Sequence, residues 1–250
     1  MEAWRLALAF GASFVAGYLG SAIGLVLGTL RLPAILLLAG DASAAAGTNV
    51  AISAAAAGSG SIRHARDGRV DWRIVAWMAP PSVVGAVVGS LWGDTVPEAF
   101  LLALVAAVLA WNGFDLLARP VRERPAARLR IAPAVGFGLL IGVLGGAMGV
   151  ILGTLRMPAL LRGVGMTAAR AAGTNLVVGF LLGAFAFAAH AAQLEVEWSL
   201  LAAGLAGGLP GAWLGAHVTG RLDEETLRRA VGVALLAVAA AFAVELALRA

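Results

Sequence analysis

Arg31 and Arg156 occupy matching places in two near-copies, Gly28-Thr29-Leu30-Arg31-Leu32-Pro33-Ala34 and Gly153-Thr154-Leu155-Arg156-Met157-Pro158-Ala159. Each copy places its arginine, and two residues later a proline expected to break the helix, at the end of a long apolar run. A guanidinium is planar, permanently charged and able to grip an oxyanion through two parallel N–H···O bonds, which suits a sulfur or carbon oxyacid. An arginine at mid-bilayer costs about 2.5–3.5 kcal/mol, so it normally lines a cavity and meets an anion. Two such residues related by a pseudo-twofold axis would make one central anion site. Snorkelling of each side chain to the headgroups is the competing reading. Thr48-Asn49 and Thr174-Asn175 each follow a glycine, within Gly47-Thr48-Asn49 and Gly173-Thr174-Asn175. They are expected to open long helices, capping the free N–H groups. Such helix starts also carry partial positive charge that attracts anions. Capping and substrate contact both remain open for them. Thr29 and Thr154 stand beside the arginines, and Gly28 and Gly153 would allow close approach of a helix or a ligand.

The elements that position these residues must be membrane helices. The chain is 61% hydrophobic and 13% charged, with apolar runs near or above twenty residues. Such runs match the roughly 30 Å hydrocarbon core of a bilayer. A lipid-exposed backbone must satisfy its own hydrogen bonds, so every span is expected to be helical. The first segment covers 6–30, followed by Arg31, Pro33 and a short run to Leu38. A helix is predicted from Gly47-Thr48-Asn49 to about Ser61, with further spans at 74–93 and 99–117. The second half repeats this at 133–155, 158–164, 174–192, 198–218 and 230–248. The stretch from Leu6 is expected to be a retained membrane segment, since the N-terminus lacks a basic cluster and a cleavage site.

The duplication covers nearly the whole chain, as a first repeat over 1–125 and a second over 126–250 within a single integral membrane domain. Gly17, Gly20, Gly24, Gly28, Thr29, Arg31 and Pro33 return as Gly142, Gly145, Gly149, Gly153, Thr154, Arg156 and Pro158. One inserted residue later, His64 returns as His190, Asp71-Trp72 as Glu197-Trp198, and Gly85 and Gly89 as Gly211 and Gly215. Paired interruptions at corresponding positions of two membrane repeats are a pointer to a transporter's binding site. The small-residue spacing of the glycines suits close helix packing. His64 and His190 lie near span ends, where interfacial hydrogen bonding and a proton or gating role are both open.

Loop charge bears on orientation. Arg63, Arg66, Arg69 and Arg73 fill one connection and Arg119, Arg122, Arg124, Arg128 and Arg130 another, while the turn between those spans holds Asp94 and Glu98. In the second half the pattern flips: Glu195 and Glu197 stand where the first arginine group was, and Arg221, Arg228 and Arg229 replace the acidic turn. By the positive-inside rule, equivalent loops lie on opposite faces and the repeats are inverted. Each repeat would then be a broken, re-entrant element (6–46 and 133–171) plus three transmembrane helices. Eight spans with parallel halves is the alternative.

Other chemistries find little in the chain. The net charge of +4 comes entirely from arginines between apolar segments, so it does not point to nucleic acid. With no cysteine there are no disulfides or thiolate metal sites. No metal cluster, nucleophile triad or phosphate loop is recognisable, so no enzyme, cofactor or metal is expected. Asp41 and Asp115 lie near segment ends without acidic counterparts, whereas proton coupling usually needs an intramembrane carboxylate.

Two glycine-spaced segments leading to a proline and then Gly-Thr-Asn, an Asp/Glu-Trp after the next loop, and a Pro/Gly-rich span resemble the sulfite exporter TauE/SafE family. The resemblance covers nearly the whole chain and occurs twice. It departs from the family's commonest pattern in carrying Gly-Thr-Leu-Arg where Gly-Gly-Gly and a hydrophobic residue are usual, which leaves the particular anion open. The resemblance implies a multi-pass inner-membrane permease that moves sulfite, organosulfonates or related anions, mostly outward. Its implied partners are a small anionic substrate and the lipid bilayer; a homo-oligomer is compatible with it. An ion-coupled uptake permease for a carboxylate or sulfonate, and a non-transporting scaffold, stand as alternatives.

Overall fold

With no water to serve it in a bilayer, a backbone this apolar has helix as its economical solution. In the computed structural model, which describes residues 3–92, 97–120, 129–148, 152–192 and 196–249, every described element is helical. The first repeat forms α1 (Ala3–Ile23), α2 (Gly28–Ala39), α3 (Ala42–Arg66), α4 (Trp72–Trp92) and α5 (Glu98–Ala118). The second forms α6 (Ile131–Met148), α7 (Gly153–Pro158), a π-helical turn Ala159–Val164, α8 (Ala168–Ala192), α9 (Trp198–Thr219) and α10 (Glu224–Arg249). Among the described residues, six helices, α1, α4, α5, α8, α9 and α10, contain stretches long and apolar enough to cross a membrane.

Two local expectations are corrected. First, the break in the opening segment falls at 24–27 and not at the proline. Gly24 adopts φ 73°, and Leu25 N–H reaches back to the Gly20 carbonyl at 2.7 Å, closing off α1. Pro33 lies inside α2. Pro158 ends α7 and leads directly into the π-helical turn, since a residue without an N–H interrupts the i→i−4 ladder. Residues 149–151, the counterpart of the first break, lie outside the described residues.

Second, neither Gly-Thr-Asn triplet starts a helix. Asp41 is the N-cap of α3, its carboxylate accepting from Ala44 N–H at 2.7 Å, so Thr48 and Asn49 sit within the helix. α8 likewise begins at Ala168, ahead of Thr174 and Asn175. The small residues upstream of each triplet are good helix formers and extend the helix past the glycine. The Asp/Glu-Trp pairs do mark helix starts. Asp71 Oδ1 accepts from Ile74 N–H at 3.1 Å at the head of α4, and Glu197 precedes α9. Trp72 and Trp198 are exposed, as interfacial rings should be. Asp94, Glu195 and three of the loop arginines, Arg122, Arg124 and Arg128, lie outside the described residues.

Packing does not follow the repeat boundary. The chain forms two compact units, Met1–Val70 with Ala172–Arg221, and Asp71–Ala171 with Leu222–Ala250. In the first unit α1 packs along α9, and α3 lies against both α9 and α2. In the second, α6 packs along α4, and α5 along α10. α1 corresponds to α6 by repeat register, and α9 to α4. Each unit thus joins the opening helix of one repeat to a later helix of the other. Glycine makes these seams close: a Cβ at Gly215 would stand 2.0 Å from the Tyr18 carbonyl oxygen, and one at Gly89 2.0 Å from that of Val143. Such contacts are the small-residue route to helix association in lipid. Beneath the α1–α9 seam, Ala9, Ile35, Ile52 and Leu200 form a fully buried apolar cluster.

Outside the membrane, Asp223 caps α10. Thr226 donates to it from both N–H and Oγ1, each at 2.8 Å. These bonds favour the carboxylate and hold its pKa below the usual value. A depressed folded pKa means the cap's contribution is present above the unfolded carboxylate pKa and is lost as pH falls through the folded one. Thermal unfolding between neutral pH and about pH 3 is therefore expected to show a smaller acid-induced fall in Tm for Asp223→Asn than for the parent. Equal falls would show that the cap carries no pH dependence.

Candidate functional site

Arg31 sits in the first turn of α2, facing α3. It is 3% exposed. Asn49 and Ser53, four residues apart and so on one face of α3, receive it. Arg31 Nε donates to Asn49 Oδ1 at 3.0 Å; Nη2 donates to the same oxygen at 2.8 Å, to the Asn49 carbonyl at 2.9 Å and to Ser53 Oγ at 2.8 Å. These bonds occupy Nε and Nη2, while Nη1 makes none of them. All the partners are neutral, and among the described residues no carboxylate pairs with Arg31. The amide oxygen of Asn49 thus holds the guanidinium edge that a carboxylate or sulfonate oxygen would take.

Gly28 permits this approach. A Cβ there would stand 2.2 Å from Ser53 Oγ and 3.4 Å from Asn49 Nδ2. Beside the guanidinium lies a cavity of about 20 Å³, lined among others by Gly17, Ser21, Gly28, Arg31, Ser53 and Leu176. That volume suits about one water molecule and is too small for an oxyacid anion. An anion taking the Nε/Nη2 edge would have to displace Asn49 Oδ1 from it.

The remaining first-unit candidates tie elements together. Thr48 Oγ1 accepts from Glu197 N–H at 2.8 Å, fixing the head of α9 to α3. Asn175 Nδ2 donates to the Gly24 carbonyl at 2.7 Å, anchoring the α1–α2 break to α8. Thr174 is fully buried within α8, and Thr29 follows Gly28 in α2. His64 is fully buried. Its Nδ1 accepts from Arg69 Nε at 3.1 Å, so the remaining proton sits on Nε2, which donates to the Ser21 carbonyl at 3.2 Å. This is a structural tie for the end of α1; the side chain of His190 lies outside the described residues. Arg156, Gly153 and Thr154 belong to the second unit, where all of α7 is buried and Arg156 is 1% exposed.

Sequence reading missed Ser53 and Ser21. Ser53 was detectable in principle as the residue one helical turn after Asn49, but serines recur along α3 and nothing local marks this one. Removing its hydroxyl leaves a buried cation with one neutral acceptor fewer, and a hydrogen bond to a charged group contributes about 1.5–3 kcal/mol. Ser53→Ala is expected to lower the unfolding temperature measurably, by several degrees for a domain of this size. An unchanged Tm would mean that Ser53 does not support Arg31.

Among the described residues, six helices of membrane length and close glycine seams define a multi-pass membrane protein, and the comparisons with known proteins place it among membrane transporters. The chain belongs to the sulfite exporter TauE/SafE family, whose profile matches residues 9–242. It is 28% identical over 235 residues to a probable membrane transporter protein of Xylella fastidiosa (strain 9a5c), covering 89% of this chain and 90% of that protein. It is 31% identical over 248 residues to probable membrane transporter protein ORF9 of a Sinorhizobium species, covering 96% and 92%.

Proposed function

We propose that the chain exports a small sulfur-containing or organic anion, of the sulfite or organosulfonate class, by alternating access. The observation that carries this reading is Arg31, a buried cation whose hydrogen-bond partners are neutral. A permanent positive charge in an apolar setting, held by groups that can exchange for an anion's oxygens, is chemically an anion receptor. The reading assigns Arg156, the repeat counterpart, the same chemistry in its own unit. It retains the inverted arrangement of the repeats, supported by the reversal of loop charge. The pairing of α1 with α9 and of α6 with α4, equivalent by repeat register, agrees with a duplicated machine.

An inside-negative potential of about 100 mV favours the exit of each negative charge by about 2.3 kcal/mol. Export of an anion can thus run without a coupling ion. The test is flux in proteoliposomes at an imposed potential, with sulfite, sulfoacetate, taurine and simple carboxylates offered in turn. Potential-driven flux of an anion supports the exporter. Flux only with a sodium or proton gradient would replace it by the uptake permease, and no flux under any gradient by the scaffold.

A further inference from the structure

At the arginine-rich end of α3, the first unit carries a cluster of cations that the anion site does not use. The guanidinium carbons of Arg63 and Arg66 lie 5.8 and 5.2 Å from the centre of the Trp213 ring on α9. One turn further along α9, His217 stands between two arginines. Arg63 Nη2 is 2.8 Å from its Nδ1, and Arg221 Nη2 is 2.8 Å from its Nε2. A neutral imidazole has one donor and one acceptor nitrogen, and a guanidinium only donates. One of these contacts therefore sets N–H against N–H, and protonating the ring would make both do so. The cluster is one acceptor short.

Nearby carboxylates do not supply it. Asp67 is shared between Arg63 Nε at 3.1 Å and Arg69 Nη2 at 2.6 Å. Arg66 and Arg221 are exposed and have no carboxylate partner among the described residues. Among the described residues Asp67 thus serves Arg63 and Arg69 only, while Arg66 lies over Trp213 and Arg221 against His217, and Trp213 is an aromatic ring of the kind that sits at headgroup level. Next to Arg63 and Trp213 in sequence, Ile62 and Leu214 are about half exposed, at 51% and 48%. A free anion has no use for that apolar surface, whereas acyl chains do.

We infer that this end of α3 and α9 binds the phosphate of an anionic phospholipid. The phosphate oxygens accept from Arg63, Arg66 and Arg221, and Ile62 and Leu214 meet the acyl chains. Basic pockets between membrane helices hold lipid headgroups by this combination of charge and apolar contact.

The test uses the full chain, purified in detergent and delipidated. Retention of added phosphatidylglycerol and phosphatidylcholine is read by native mass spectrometry. Arg66→Gln/Arg221→Gln changes two exposed side chains. Phosphatidylglycerol is expected to be retained preferentially, and the double variant to lose that preference by roughly tenfold or more. Millimolar inorganic phosphate should not displace the lipid. Should the double variant fail to fold, the salt series on the parent decides: the preference must fall between about 50 and 500 mM salt, because exposed charges are screened. Equal retention of the two lipids, an unaltered preference in the folded variant, a salt-independent preference in the parent, or displacement by inorganic phosphate would each overturn the inference. The last would mark a free-anion site instead.

Discussion

Arg31→Met will stop anion flux while leaving the protein folded. Methionine keeps most of the side chain's length and apolar bulk, so the variant removes charge and fork together without opening a large void. Hydrogen bonds to a charged group contribute about 1.5–3 kcal/mol each, so losing a two-bond grip on an oxyanion should cost roughly a hundredfold or more in flux at subsaturating substrate. Stability should fall as well. Relief of the insertion cost of an arginine, about 2.5–3.5 kcal/mol, offsets only part of the loss of its bonds to Asn49 and Ser53. Tm should drop by at least as much as in Ser53→Ala, so flux is compared at a temperature where the variant is folded. Arg31→Lys keeps the charge but not the planar fork, and its flux should fall between parent and methionine variant. Flux unchanged in Arg31→Met would remove Arg31 from the anion path. Loss of flux together with collapse of folding in both variants would make it a structural residue.

Gly24→Ala should be the most damaging single-methyl change in the first unit. At φ 73° a side chain is strained in any surroundings, by roughly 1–2 kcal/mol. Here the added Cβ would also stand 2.1 Å from the Cα of Ala172, which is helix backbone and cannot rotate away. Overpacking of that kind adds about 1–3 kcal/mol. The total of about 2–5 kcal/mol should lower Tm by at least about 5 °C. It should also pull the Gly24 carbonyl from Asn175, loosening the break ahead of Arg31. A thermal unfolding curve matching the parent would show that the break is not held against α8. Gly40→Ala is the internal comparison, since it shares a positive φ of 75° but has nothing within 4 Å of an added Cβ.

Most of the helices were legible because membrane solubility leaves a coarse signal: long apolar runs with charge between them. The bounds expected for α4, α5 and α9 lie within two residues of those observed. What misled was local chemistry. Pro33 looked like the helix breaker, yet the chain breaks at Gly24, where positive φ and a docked helix decide the matter. Gly-Thr-Asn looked like a helix start, yet alanine-rich residues carry the helix through it. Propensity is worth about 1 kcal/mol or less at an ordinary residue and about 3 kcal/mol at an interior proline, and packing overrides both here.

What the amino-acid sequence determined alone was the class and the duplication: a multi-pass helical membrane protein whose two halves each bring an arginine, a Gly-Thr-Asn and a ladder of glycines. Those properties depend on hydrophobicity and register, which are written along the chain. Tertiary structure alone decided which repeat element packs with which, so that α1 joins α9 and α6 joins α4 across the repeat boundary. It also decided that Asn49 and Ser53, not a carboxylate, hold Arg31. A guanidinium finds its partners through space at about 3 Å, and no spacing in a linear sequence records that distance.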